Sequence, residues 1–290
     1  MATEGGSVAN AIRARYKTLR PAIPFQGEEI ILARHAETIA EVFPNWVERS
    51  KLDGGGLYHP FDLNVPVRMP KRLNMVQAYQ SDPPLSEVGR IMAQLFAREL
   101  VSRSAIPKAI FAAPTLASLQ TAVDIHNYIG KDCGKICVDA SLTSDRSGAP
   151  YWLSEQEIAH LKFNVDDSYN QEEIELDDRS LKSIAESMKK ALPKLSSKNG
   201  IVLVVTDALA VKMLKDLALS PKDAVGNRSE EESRKRAAQE YPAMSSTVLS
   251  SRTSKGTVHL QPSRLSMRPL TTIGECSEPN FDVNCKYKTK

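Results

Sequence analysis

Aromatic residues are scarce in this chain, 6% of 290 residues, and cysteines number only four. So few aromatics argue against a base-stacking platform for single-stranded nucleic acid. The near balance of 38 basic and 35 acidic residues, a net +3, argues against a DNA- or RNA-tracking groove. No nucleic-acid partner is therefore expected. Cys133, Cys137, Cys276 and Cys285 are too few for a disulfide scaffold and lack the paired spacing of a zinc site, so they read as structural or incidental. No apolar run is long enough to span a bilayer. The opening Met1-Ala2-Thr3-Glu4-Gly5 has neither a hydrophobic signal core nor the second-position glycine that myristoylation requires. A soluble, cytoplasmic protein with no membrane partner is expected. No Gly-x-Ser-x-Gly elbow occurs, which argues against a serine hydrolase of that type, and no internal repeat is visible.

What is present is an alternation of short aliphatic runs and amphipathic stretches. Glu29–Ala33, Ala109–Ala113, Lys135–Val138 and Ile201–Val205 read as strands, and the five consecutive aliphatics of the last suit a central parallel strand. Helices are expected over Ala36–Phe43, from Ser86-Glu87 with Ile91, Leu95, Phe96 and Leu100 on one stripe, after Pro114, over Leu181–Leu195 and over Ala208–Leu219. Met244–Ser250 and Thr257–Leu260 read as two late strands around Lys255-Gly256. Strand–helix alternation of this kind predicts an α/β fold: one three-layer domain with a mostly parallel central sheet flanked by helices. The expected organisation is a tail over 1–26, a domain over 27–262 and a second tail over 263–290. Within the domain, 51–84 reads as an irregular Gly/Pro-rich insertion and 143–180 as a variable acidic lid with a short helix near Ser154–Leu161. The mixed-charge run 228–240 reads as a solvated helix, and Asn227-Arg228-Ser229 as a formal glycosylation sequon that goes unused.

The chemistry-bearing phrase is Arg34-His35-Ala36-Glu37, directly after the first strand. An imidazole at a strand end can attack phosphorus, and a guanidinium beside it can hold phosphate oxygens by forked, charge-assisted hydrogen bonds. In a parallel α/β sheet, ligands bind beyond the strand ends, where His35, Pro114 and Thr206-Asp207 would converge. His35, Asp145 and Asp207 offer no further ligand at helpful spacing, so no metal and no cofactor are expected.

Five phrases in order resemble the histidine phosphatase superfamily, the phosphoglycerate-mutase-like fold, and within it the phosphatase domain of the STS/TULA proteins. They are Arg34-His35-Ala36-Glu37, Asp62-Leu63-Asn64-Val65-Pro66, Tyr79 to Ser86, Ala113-Pro114-Thr115-Leu116 and Gln120-Thr121-Ala122. The resemblance covers roughly residues 27–270. It implies that His35 is the position of the phosphorylated nucleophile and Arg34 a phosphate ligand. It also implies arginines where this chain has Thr38 and Ala117, a second histidine where it has Asp207, and a general acid near Ser144, with Asp145 beside it as a substitute.

Each hydrogen bond to a charged group contributes about 1.5–3 kcal/mol. Losing two arginines and a histidine from one phosphate site would then cost roughly 5–9 kcal/mol, or on the order of four to six decades of affinity. The expectation is a pseudophosphatase that acts through protein–protein interaction, with His35 a vestigial nucleophile. Arg34 would hold an anion or pair with Asp207. The binding surface would lie on 51–84 and 143–180. The alternative is a weak or rewired phosphomonoester or protein-tyrosine-type phosphatase that still uses His35, with Asp145 or Asp207 as proton donor; a phosphopeptide-binding module is a third reading. Protein partners are unknown, and a homodimer is what the resemblance implies.

Overall fold

The computed structural model describes residues 28–53, 57–171, 174–196, 200–220, 229–254, 257–263, 266, 267 and 270. The tail 1–26, Gly54-Gly55-Gly56, Asn227-Arg228, the Lys255-Gly256 turn, Cys276 and Cys285 lie outside them. Within them, the most aliphatic runs form the middle of one sheet. Its strands are β1 (Glu29–Arg34), β2 (Ala109–Ala112), β3 (Ile136–Val138), β4 (Ile201–Thr206), β5 (Ser246–Ser254) and β6 (Thr257–Pro262). They lie in the order β3-β2-β4-β1-β5-β6. The first four are mutually parallel, β1 beside β4 with Ile31 opposite Leu203, and β5 and β6 add an antiparallel hairpin on the β1 side.

Alternation along β1 and β4 divides the core between the two faces. Ile31, Ala33, Leu203 and Val205 belong to one apolar cluster, and Ile30, Leu32, Val202 and Val204 to the other. Strands covered on both faces have no polar side to present, which is why they read as unbroken aliphatic runs. The helices are α1 (Ile39–Val42), α2 (Trp46–Arg49), α3 (Met75–Ser81), α4 (Glu87–Ser102), α5 (Leu116–Ile129), α6 (Glu155–His160), α7 (Leu181–Ser196), α8 (Ala208–Leu219) and α9 (Glu230–Glu240). α4 and α5 contribute to the first cluster, and α7, α8 and α9 to the second. The result is the expected three-layer α/β architecture. No helix of the described residues is long and apolar enough to cross a membrane.

Three local expectations change. The 36–43 helix shrinks to α1, because Thr38 accepts the Glu41 N–H while the Glu41 carboxylate accepts the Thr38 N–H, a capping box that starts the helix at Ile39. α4 is rotated from the expected stripe: Ile91 is 54% exposed, and the buried face is Gly89, Met92, Ala93, Phe96, Ala97, Leu100 and Val101. Small residues bring this helix close to its neighbours. A Cβ on Gly89 would stand 2.2 Å from the Glu37 carbonyl oxygen, so only glycine permits the approach. The insertion is also less irregular than its composition implies. It contains α3, buries Val65 and Tyr79, and is pinned by Arg72, whose side chain is 2% exposed. Arg72 bonds Asp82, donates to the Tyr151 carbonyl and lies 3.7 Å from Glu157, joining residues 51–84 to α6 and the turn before it. Cys133 and Cys137 are buried, and burial pushes the Cys133 thiol up to about 12, far from a reactive thiolate.

Candidate functional site

β1 and β4 end side by side, with Arg34 opposite Thr206. The His35 N–H donates to the Thr206 carbonyl at 2.8 Å, and the Met244 N–H donates to the His35 carbonyl at 3.3 Å. The backbone of His35 is therefore fixed from both sides. Its Nδ1 lies 2.8 Å from the Ala36 carbonyl oxygen. That oxygen only accepts, so Nδ1 carries the proton, and in the neutral ring Nε2 keeps a bare lone pair. Burial pushes the His35 pKa below its ordinary value; Glu41 and Asp207 pull it up, and Arg34 adds to the lowering. Positionally and electronically, His35 is a neutral imidazole of the form a nucleophile requires.

Arg34 is already committed. Its side chain is 11% exposed; Nη2 is ion-paired with Glu41 Oε1, and Nη1 donates to the Tyr241 carbonyl at 2.9 Å. Its Nε is buried with no hydrogen-bond partner among the described residues. The other Glu41 oxygen caps Thr38, accepting its N–H at 2.7 Å and its hydroxyl at 3.1 Å. Burial raises the Glu41 pKa, but His35, Arg34 and the Thr38 hydrogen bonds outweigh it, and the net shift is down. Glu41 is thus a fixed anion on the guanidinium. The expected Arg34–Asp207 pair is not formed, since Glu41, seven residues along the chain, occupies Arg34 instead.

Asp207 has its own partners. It N-caps α8, with Oδ1 accepting from the Ala210 N–H at 2.9 Å. The Ser144 hydroxyl also donates to Oδ1, while the Ser144 N–H at 2.7 Å and the Thr143 hydroxyl at 3.2 Å donate to Oδ2. Ser144 is fully buried, and its carbonyl accepts from Arg234 Nη2 at 2.8 Å. Arg234 is itself paired with Glu230, so this cation does not face the pocket unpaired. Asp145 is half-buried, and its Oδ1 accepts the Ser147 N–H at 3.0 Å and hydroxyl at 2.5 Å. Ala117 is buried in the first turn of α5, and the neighbouring Leu116 N–H donates to buried Asp82 at 2.7 Å. The N-terminal end of α5 therefore also meets an internal carboxylate. Among the described residues, no three His, Cys, Asp or Glu side chains are arranged to hold a metal.

No family model matches the chain. Over 196 residues it is 29% identical to ubiquitin-associated and SH3 domain-containing protein A of Mus musculus, covering 63% of this chain and 31% of that protein. Over 151 residues it is 30% identical to the ecdysteroid-phosphate phosphatase of Drosophila melanogaster, covering 50% of this chain and 20% of that one. The crystal structure of the ecdysone phosphate phosphatase from Bombix mori in complex with tungstate superimposes with a TM-score of 0.58 at 19% identity, covering 85% of this chain and 97% of that chain. The chain is similar in sequence to these proteins over part of their length and shares its fold with the ecdysone phosphate phosphatase. It spans less than a third of the length of these curated relatives.

Within this fold, the phrases that carry the resemblance prove to be joints. Glu37 accepts the Ser86 hydroxyl at 2.6 Å and the Asn64 amide at 3.2 Å, and Asn64 Oδ1 accepts the Val88 N–H at 2.7 Å. Gln120 caps Leu85, and the Thr121 hydroxyl accepts the Ala36 N–H. These residues hold the β1 end against α4 and α5 whether or not the pocket turns over. Sequence reasoning missed Glu41 and Arg234. The Thr38-x-x-Glu41 capping box was a readable signal for the first; nothing local pointed Arg234 at Ser144, 90 residues away.

Proposed function

We propose that this chain is a pseudophosphatase: a histidine-phosphatase-fold protein that does not turn over phosphoesters and acts by binding other proteins. The observation that carries this reading is the Glu41 carboxylate on the Arg34 guanidinium, at the place where a substrate phosphate would need that cation. An incoming dianion has to displace Glu41 and approach Asp207 as well, and each like charge at contact distance costs about 1–4 kcal/mol. The side chains of Thr38, Ala117 and Asp207 supply none of the cationic donors that the resemblance assigns to those positions. The loss of transition-state charge stabilisation and of a general acid both act in the same direction.

A second reading, a weak or rewired phosphomonoester phosphatase, is favoured by one specific observation. His35 keeps its Nδ1 bond to Ala36 and hence a bare Nε2. Oxyanion binding separates the two. Calorimetric titration of the wild-type protein with tungstate is expected to give no heat of binding. The combined Thr38→Arg, Ala117→Arg, Asp207→His and Glu41→Gln variant is expected to bind it. Micromolar tungstate binding by the unaltered protein would favour the working phosphatase.

A further inference from the structure

Beyond the carboxyl ends of β2 and β3 lies a cleft of about 1050 Å³, floored by Pro114 and Val138 and walled by the lid. Neither Arg34, His35 nor Asp207 lines it. Its walls mix apolar and polar side chains: Trp152, Ile158, Phe163, Val165 and Ile174 are half-buried, and Asn164, Asn170 and Gln171 are exposed beside them. Its charged lining is acidic throughout, from Glu155, Asp166 and Asp167, with no lysine or arginine. Asp166 has a partner in Lys135 at 3.7 Å, whereas Glu155 and Asp167 have no ionic partner among the described residues. The chain around it has the same bias: residues 166–178 contain seven acids and no basic residue. A concave, partly apolar surface rimmed by charge of one sign is complementary to a ligand of the opposite sign that also carries apolar side chains. The volume is at the upper limit of small-ligand pockets, about 300–1,000 Å³, which favours several side chains of a peptide over one compact molecule.

We propose that this cleft binds a basic peptide segment of a partner protein, with aliphatic or aromatic side chains entering between Trp152, Ile158 and Phe163, and lysine or arginine side chains meeting Glu155 and Asp167. The site names the partner class for the protein-binding function proposed above and rests on that reading. The charges supply orientation and association rate, while the buried side chains supply the lifetime of the complex.

The test is fluorescence anisotropy of the full chain with a labelled peptide of about twelve residues alternating arginine with leucine and tyrosine. Saturable binding is expected. It should weaken about tenfold or more in the Glu155→Gln/Asp167→Asn variant, and similarly when serine replaces the peptide's leucines and tyrosines. No saturable binding, an unchanged affinity in the double variant, or equal binding of the serine peptide would each overturn the proposal. Both altered side chains are exposed, so an unchanged melting temperature verifies that the variant is folded. A silent phosphatase pocket with no peptide binding removes the cleft alone. Peptide binding beside His35-dependent turnover removes the pseudophosphatase reading and leaves the cleft.

Discussion

Two clusters of charge lie beyond the strand ends, and they are finished differently. Beyond β1 and β4, Arg34 is held by Glu41 and Tyr241, and Asp207 by Thr143, Ser144 and Ala210. Beyond β2 and β3, Glu155 and Asp167 line an open cleft with no ionic partner among the described residues. A charge whose hydrogen bonds close inside the protein stabilises a fold and has little left for a ligand. A charge facing an open cleft without a partner contributes little to the fold and remains available to a ligand. Residue type alone would rank the two sites in the opposite order, since the first contains the Arg-His phrase and the second only acids.

Substitutions should therefore separate the clusters by stability. The reference for a fully interior charge is Arg72: Arg72→Ala leaves Asp82 buried and unpaired and is expected to cost about 3–5 kcal/mol, read from urea midpoints. Asp82 itself is pushed up to about 7 by burial, against lowering by the Leu116 N–H and Arg72. Because the folded state holds this proton where the unfolded chain has released it, stability contributed by Asp82 is full below about pH 4 and declines as pH rises to about 7. His35, with its lowered pKa, acts oppositely, favouring the folded state as pH rises toward 6.5. The difference between wild type and Asp82→Asn isolates the Asp82 component: from pH 5 to 7 the wild type should lose more stability than the variant, by about 2 kcal/mol.

Within the closed cluster, Asp207→Ala removes an N-cap and strands the buried Ser144 N–H, for an expected loss of about 2–4 kcal/mol by chemical denaturation. Glu41→Gln keeps the shape of the capping box and costs about 1 kcal/mol or less. It removes the anion from Arg34, so tungstate affinity should rise, and an NMR titration should show the His35 pKa falling further as a neighbouring negative charge disappears. In the open cluster, the Glu155→Gln/Asp167→Asn pair should change stability by less than about 0.5 kcal/mol. A destabilisation as large as that of Asp207→Ala would show that these acids belong to the fold.

Much of this was legible beforehand. Ile30 to Ala33 and Ile201 to Val205 read correctly because strands buried on both faces are aliphatic without interruption. The strand-end location of His35 and Asp207 followed from that. α4 was misjudged because its buried face depends on Gly89, Ala93 and Ala97, which carry almost no hydrophobic signal, while Ile91 carries a strong one and points outward. The partner of Arg34 was misjudged because pairing was sought between strand ends, while the capping box beside it had already placed a carboxylate within reach. The contacts of Arg72 with Tyr151 and of Arg234 with Ser144 span 79 and 90 residues and leave no local trace.

Turnover of an activated aryl phosphate, measured side by side for the purified wild type and His35→Ala, decides whether the closed pocket is silent. The expected result is the same background rate for both proteins. A wild-type rate that disappears with His35 would contradict the pseudophosphatase reading.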